Sequence, residues 1–238
     1  MRVTLAQSAP KLNRSNLADV IATVNEYMYE SDLIVFPELS LNGYLLQDKL
    51  YEDAWTLDEL DALKELSWHV DIAVGAAMRD GDSFRNAALY FSNGALLSQH
   101  NKVHLPNYGM FEEARYFSAG KIFESFMCSY GKVSMLVCED LWHKSMHDDL
   151  KKENPDYIIA LVSSPARGFS ESGLEIEDKW YSIIKTVAQE CHAKLIFVNR
   201  VGFEDGLGFW GGSCLVDENA NIIHQLPRYE VTVKTFNI

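Results

Sequence analysis

The sequence predicts an α/β protein. Short apolar runs, among them residues 32–36 (DLIVF), Tyr157–Val162 (YIIALV) and Lys194–Asn199 (KLIFVN), have the length and β-branched content of buried strands. Other stretches carry apolar residues at helical spacing: Leu17, Val20, Ile21, Val24, Tyr27 and Met28 form one stripe, and Trp180, Ile183, Ile184, Val187, Ala188 and Cys191 another. A third observation concerns the ends of the apolar runs. Glu38, Lys102 and Cys138 each fall where a strand gives way to a loop, and sites in packed α/β architectures gather at strand ends.

In chain order, Arg2–Gln7 alternates as a first strand, and Pro10 with residues 13–15 supplies turn and cap chemistry before the helix over 17–28. The strand at 32–36 stops at Pro37, because proline cannot join a central ladder, and leaves Glu38 at its end. Residues 46–70 are acidic and predict a helix with Leu57, Leu60, Leu63 and Leu66 inward. A meander follows, with strands over 71–78, 86–91 and 96–102, the last two joined by the hairpin signal Asn93-Gly94. Residues 102–117 are punctuated by Pro106, Asn107 and Gly109 and carry Tyr108, Phe111, Tyr116 and Phe117, the composition of a binding loop. A hairpin over 122–127 and 132–137 ends at Cys138. Beyond it come a helix over 142–153, the strand Tyr157–Val162 ending at Ser163-Ser164-Pro165, a loop over 167–173 and a helix over 176–192. The strand Lys194–Asn199, a glycine-rich loop over 202–212 and a hairpin over 213–216 and 221–226 complete the chain. With no repeat and no linker, residues 1–238 are expected to form a single domain.

Composition narrows the function. A net charge of −13 disfavours nucleic acid and anionic membrane surfaces as partners. No apolar run has the length of a membrane span, and the first residues lack a signal-peptide core. The four cysteines form no CxxC pair and the seven histidines no HExxH, so no metal is expected, and a reduced, cytoplasmic protein is the simpler reading. The glycine-rich stretch has neither Walker spacing nor GxGxxG, and no cofactor is expected.

A thiol at the end of a strand, followed by Glu139 and Asp140, is well placed to be a nucleophile, because the sheet fixes it and the next N–H groups can face an oxyanion. A free cysteine is usually a small buried hydrophobe, so the assignment depends on its company. A carboxylate could take the thiol proton, and a lysine could favour thiolate and bind the oxyanion.

Those residues sit in motifs with a known likeness. VFPELSLNGY around Glu38, HNKVHLPNYG around Lys102 and MLVCEDLW around Cys138 resemble the nitrilase, or carbon–nitrogen hydrolase, superfamily in order and spacing. The loop K-x-x-L-P-N-Y-G-x-F-x-E-x-R-Y-F and the run C-E-D-L-W are most similar to the glutaminase domain of glutamine-dependent NAD synthetases. The resemblance implies a four-layer αββα sandwich in place of a doubly wound sheet, and a homodimer or higher homo-oligomer joined through helices beside the site. It implies Glu38 as general base, Lys102 as the oxyanion-stabilising residue and Cys138 as nucleophile. A second acid falls on Glu113 by its spacing from Phe111, with Glu112 adjacent. Tyr108, Glu139 and Ser164, the last beside Ser163, would contact the substrate together with Phe111. The resemblance further implies a cysteine-dependent amidohydrolase that cleaves a carboxamide through a thioester and releases ammonia or an amine. The family's synthetases carry an ATP-using domain after the amidase, whereas this sequence ends at Ile238 without a Ser-Gly-Gly pyrophosphatase loop. The expectation is an amidase acting alone on a small-molecule amide, or a glutaminase subunit supplying ammonia to a separate synthetase. A non-catalytic binding protein that keeps the fold is the remaining alternative.

Overall fold

The computed structural model describes residues 1–171 and 173–238. The first half runs β1 (Arg2–Gln7), α1 (Asn16–Tyr27), β2 (Leu33–Val35), α2 (Leu50–Asp53), α3 (Asp61–Leu66), β3 (Asp71–Asp80), β4 (Ser83–Ser92), β5 (Ala95–Asn101) and α4 (Glu113–Tyr116). The second runs β6 (Phe126–Cys128), β7 (Gly131–Val137), α5 (Lys144–Glu153), β8 (Tyr157–Val162), β9 (Phe169–Ser170), β10 (Gly173–Leu174), α6 (Glu175–Cys191) and β11 (Lys194–Asn199). The chain closes with β12 (Val201–Glu204), β13 (Leu207–Trp210), β14 (Cys214–Val216), β15 (Ile222–Gln225) and β16 (Thr232–Asn237).

Two six-stranded sheets result, ordered β16-β1-β2-β3-β4-β5 and β15-β14-β11-β8-β7-β6. Each has a parallel centre, β1-β2-β3 in one and β7-β8-β11 in the other, extended by antiparallel strands. The apolar runs are continuous because both faces of each central strand are covered. In β8, Ile159 and Leu161 point between the sheets, where they meet Val3, Leu5, Val35 and Tyr90 of the opposite sheet. Ile158, Ala160 and Val162 point the other way, onto Trp180, Ile184 and Val187 of α6 and Leu150 of α5. In the first sheet Ile34, Ile72 and Val74 likewise face Val20 and Val24 of α1 and Leu63 of α3. The layers are therefore helix, sheet, sheet, helix: an αββα sandwich, as the resemblance implies.

Several local expectations are corrected. Residues 46–70 are not one helix. Ala54 is extended, Trp55 donates its N–H to the Ala77 carbonyl (2.8 Å) and accepts from the Arg79 N–H (2.8 Å), and β3 thus captures the chain in mid-segment. Thr56 then starts a new turn with the Glu59 carboxylate on its N–H, and Leu57 is left exposed while Leu60 and Leu63 are buried. The glycine-rich stretch is not a loop but the hairpin β12–β13, turned by Asp205 (φ 47°) and Gly206 (φ 82°). Residues 122–125 stay outside the ladder, and β6 begins only at Phe126. Within the predicted loop 167–173, β9 and β10 pair, while Ser172 lies outside the described residues. The final strand β16, unforeseen in the sequence, pairs along the whole of β1.

Among the described residues, no helix is long and apolar enough to cross a membrane.

Candidate active site

Glu38 reaches the site because its loop is fastened to β3. Ser40 Oγ donates to the Gly75 carbonyl (3.2 Å), the Leu41 N–H donates to the same oxygen (3.1 Å), and Asn42 Oδ1 accepts from the Ala77 N–H (2.8 Å). The loop lies so close to the strand that only glycine fits at 75. A Cβ there would stand 2.4 Å from the Leu39 nitrogen and 2.5 Å from the Pro37 oxygen.

Lys102 follows β5, and its N–H donates to the Asn86 carbonyl of β4 (2.8 Å). Its ammonium is completely enclosed and bridges two carboxylates, at 2.7 Å from Glu38 Oε1 and 2.8 Å from Glu113 Oε1. Asn86 Nδ2 donates to Glu38 Oε1 (2.8 Å) and reaches Glu113 Oε2 (3.5 Å), and the Tyr44 hydroxyl donates to Glu113 Oε1 (2.5 Å). Of the two adjacent glutamates, Glu113 meets the lysine, whereas Glu112 is exposed and faces Arg115. Among the described residues, the ammonium donates only to those two carboxylates, which leaves one of its three N–H bonds for another acceptor. Glu38 Oε2 is buried and has no protein partner among the described residues.

Cys138 caps β7 and carries a left-handed backbone, φ 44°, a conformation that costs an ordinary residue about 1 kcal/mol. The turn lifts the thiol out of the strand and starts a short 3-10 helix over Cys138–Trp142. Cys138 keeps some access to a cavity of about 320 Å³. The Ser163 hydroxyl, at the end of β8, donates to the Glu38 carbonyl (2.9 Å), so that two strand ends from opposite sheets meet.

The electrostatics follow from burial and company. Burial, then the charge on Glu38, pushes the Cys138 thiol well up, and Lys102 offsets only part of this. Burial alone would lower the Lys102 ammonium, but Glu113 and Glu38 hold it well above its ordinary value. Glu113 is raised by burial, against the pull of Lys102. Burial beside Glu113 raises Tyr44 well above its ordinary value, which keeps it a neutral donor. At neutral pH the resting cluster is a thiol beside a lysinium.

The cavity is walled by Tyr108, Phe111, Glu139, Trp142, Ser164 and Arg167, with Glu175, Lys179 and Trp180 beyond them. The Tyr108 hydroxyl donates to both Glu139 oxygens (3.1 and 2.9 Å). Ser164 Oγ accepts from Trp180 Nε1 (2.8 Å), Ser163 also lines the cavity, and Arg167 lies 5.0 Å over the Phe111 ring. All eight residues marked out by the sequence therefore belong to the cluster or to the cavity beside it. Sequence reasoning missed Asn86, Tyr44, Asp140 and the charged wall residue Lys179. A polar residue at the head of an apolar strand was the available signal for Asn86. Asp140 looks like any acid in a first helical turn. Among the described residues, no group of three or more His, Cys, Asp and Glu side chains is arranged to hold a metal, and all four cysteines are free.

An αββα sandwich with a cysteine, a lysine and two glutamates converging at its strand ends defines the class of protein. Residues 2–238 match the family described as Carbon-nitrogen hydrolase, and the chain belongs to that family and is an enzyme of it. Its relatives include the "Glutamine-dependent NAD(+) synthetase" of Thermotoga maritima, 32% identical over 250 residues, with 100% of this chain and 42% of that protein covered. The protein of the same name from Acinetobacter baylyi is 29% identical, over 96% of this chain and 42% of its own length. The solved glutamine-dependent NAD+ synthetase from Acinetobacter baumannii superposes with a TM-score of 0.85 at 28% identity, covering 98% of this chain and 44% of that one. The chain thus spans less than half the length of these relatives.

Proposed function

We propose that the protein is a cysteine-dependent amidohydrolase that cleaves a carboxamide C–N bond through a thioester. The observation that carries this reading is the buried Glu38–Lys102–Glu113 cluster set against a thiol on a left-handed turn. Glu38, with one oxygen held by Lys102 and Asn86 and the other free, takes the Cys138 proton as the sulfur attacks the carboxamide carbon. The oxyanion is held by the remaining Lys102 N–H and the backbone N–H of Glu139. Glu38 returns the proton to the leaving nitrogen, and ammonia or an amine departs as the C–N bond breaks. Water, deprotonated by Glu38, then adds to the thioester, and the sulfur leaves and is reprotonated. Glu113 holds Lys102 through its Oε1, beside the bond from Lys102 to Glu38 Oε1. No metal or cofactor enters these steps. A binding protein that merely kept the fold would have no need of a lysine buried between two carboxylates, which weighs against the non-catalytic alternative.

The cavity favours a second, narrower reading: a glutaminase that supplies ammonia to a synthetase. Glu139 and Glu175 offer anionic partners for an α-ammonium, Arg167 and Lys179 offer cationic ones for an α-carboxylate, and the relatives are named for their dependence on glutamine. In this reading Tyr108, Glu139, Ser164 and Phe111 contact the amino acid. We further take residues 1–238 as one hydrolase domain that acts in the cytoplasm as a homodimer or higher oligomer, with its four free thiols suited to a reducing compartment.

The test is ammonia release from a panel of carboxamides and carbamoyl compounds that includes L-glutamine, with Cys138→Ala as control. Turnover by the wild type and its loss by at least about 10³-fold in the variant are expected. Near-full activity of folded Cys138→Ala would rule the mechanism out. Turnover of glutamine that rises when a synthetase is added supports the narrower reading, and turnover of other amides with glutamine inert removes it.

A further inference from the structure

A second buried ion pair lies behind the site and takes no part in the reaction steps. Arg200, at the end of β11, and Glu204, on β12, are both buried, and Arg200 Nη1 donates to Glu204 Oε2 at 2.9 Å. The guanidinium also donates to the Pro10 carbonyl (2.8 Å) and lies 4.1 Å over the Phe209 ring. The other oxygen, Glu204 Oε1, accepts two consecutive backbone N–H groups, those of Tyr44 (2.8 Å) and Leu45 (2.5 Å). The turn that presents them requires Gly43. Its φ is +83°, and a Cβ there would stand 2.8 Å from Glu204 Oε2 and 2.7 Å from the Lys11 oxygen. Tyr44 is the residue whose hydroxyl donates to Glu113 Oε1, the same oxygen that receives Lys102.

We propose that Glu204, oriented by Arg200, is a positioning residue: it fixes the Tyr44 turn, and Tyr44 in turn fixes the Glu113 carboxylate against Lys102. A buried ion pair is poor evidence of stability in itself, because desolvation consumes most of its attraction. Here the carboxylate is committed to the backbone of one particular turn, and its guanidinium partner is held by a carbonyl and an aromatic face. The Tyr44 ring is set edge-on to both Phe111 and Phe209, at centroid distances of 6.4 and 6.0 Å. The hydroxyl therefore has little freedom once the turn is placed. The path runs from the hairpin between β11 and β14 of the second sheet to the lysine that follows β5 of the first, and couples the two halves at the reacting cluster. The inference deepens the amidohydrolase reading and rests on it for the role of Lys102.

The experiment is a double-mutant cycle on Tyr44→Phe and Glu204→Gln, read in two ways. The first reading is the rate at which iodoacetamide labels Cys138 at neutral pH, followed by mass spectrometry of the Cys138 peptide. The second is kcat and KM for L-glutamine. Each single variant is expected to slow labelling and lower kcat by about tenfold with KM within about threefold, and the double variant to be no worse than the slower single one. Multiplied effects in the double variant, or wild-type labelling by folded Glu204→Gln, would overturn the proposal. Should Glu204→Gln not fold, Glu204→Asp carries the same expectation, since it keeps the charge beside Arg200 but is one methylene short of the turn. If wild-type protein leaves glutamine intact, the substrate reading fails, while the labelling cycle still decides the clamp.

Discussion

The Asp140 carboxylate lies 2.8 Å from the backbone N–H of His104 and binds the two loops that carry Cys138 and Lys102 into one unit. The same oxygen accepts the Val103 N–H (3.0 Å), and the other accepts His100 Nε2 (2.8 Å) and the Val137 N–H (3.2 Å). A fully buried carboxylate thus bridges the residue before the thiol and the two residues after the lysine.

Asp140→Asn tests this bridge. The amide keeps the shape but turns one acceptor into a donor, which faces the Val137 N–H or the loop N–H groups. A loss of about 2 kcal/mol in urea unfolding is expected, with a fall in amide turnover. Burial pushes the Asp140 carboxyl up, but the His100 bond and charge and the His104 N–H outweigh it and hold the carboxyl below its ordinary value. The unfolded chain therefore takes up this proton first as pH falls. The contribution is fully present above about pH 4 and is lost as pH drops through the folded value. Asp140→Asn should accordingly lose less stability than wild type on acidification from pH 5 to 3, and an equal loss would show that the bridge bears no such weight.

These contacts mark the limit of what was legible in the sequence. Glu38, Lys102 and Cys138 could be placed at strand ends because apolar runs and their punctuation are local signals. The layer order came from the resemblance, since periodicity does not say which sheet a strand joins. The break at Trp55 escaped the helical stripe because the strand that captures it is more than twenty residues away. The partners of Asp140 and Glu204 lie 36 and 160 residues away in the chain. Asp205-Gly206 was a hairpin signal in plain view, and the surrounding glycines obscured it.

Arg167 tests the glutamine reading. Its guanidinium rests against Phe111 at the cavity wall, and Glu139, in the same wall, is held by Tyr108. If it receives an α-carboxylate, Arg167→Ala should raise KM for L-glutamine by at least about tenfold while leaving a small amide without that group within about threefold. Steady-state kinetics on the two substrates decide it, and an equal loss on both would assign Arg167 to packing.

Alkaline pH should weaken the fold. Burial raises Cys191 to about 11 and pushes Cys214 further up, and Cys138 is also well above its ordinary value. The unfolded chain releases these protons first, from about pH 8.5, so stability declines as pH rises beyond that point. Urea midpoints should fall between pH 8 and 11. Cys214→Ala, less stable at pH 8 because of the cavity it leaves, should lose less over that range than wild type. An identical slope would remove Cys214 from the account.

Gly75 makes the last case, because it separates close approach from backbone strain. A Cβ at 75 meets the Leu39 nitrogen, the Pro37 oxygen and the Glu38 Cα at 2.4, 2.5 and 2.7 Å, and all three are backbone atoms of the loop that holds Glu38. Nothing there can rotate away, so Gly75→Ala must displace the loop or the strand. Gly81, in the turn between β3 and β4, differs in kind: its φ is +59°, and a Cβ would meet nothing within 4 Å. Gly81→Ala should cost about 1 kcal/mol through its backbone and leave turnover within about twofold. Gly75→Ala should cost about 2–3 kcal/mol and lower kcat by at least about tenfold, because Glu38 moves relative to Lys102 and Cys138. Urea unfolding and ammonia release on the two variants measure both effects. Full turnover by a destabilised Gly75→Ala would mean that the position of Glu38 does not depend on its docking to β3.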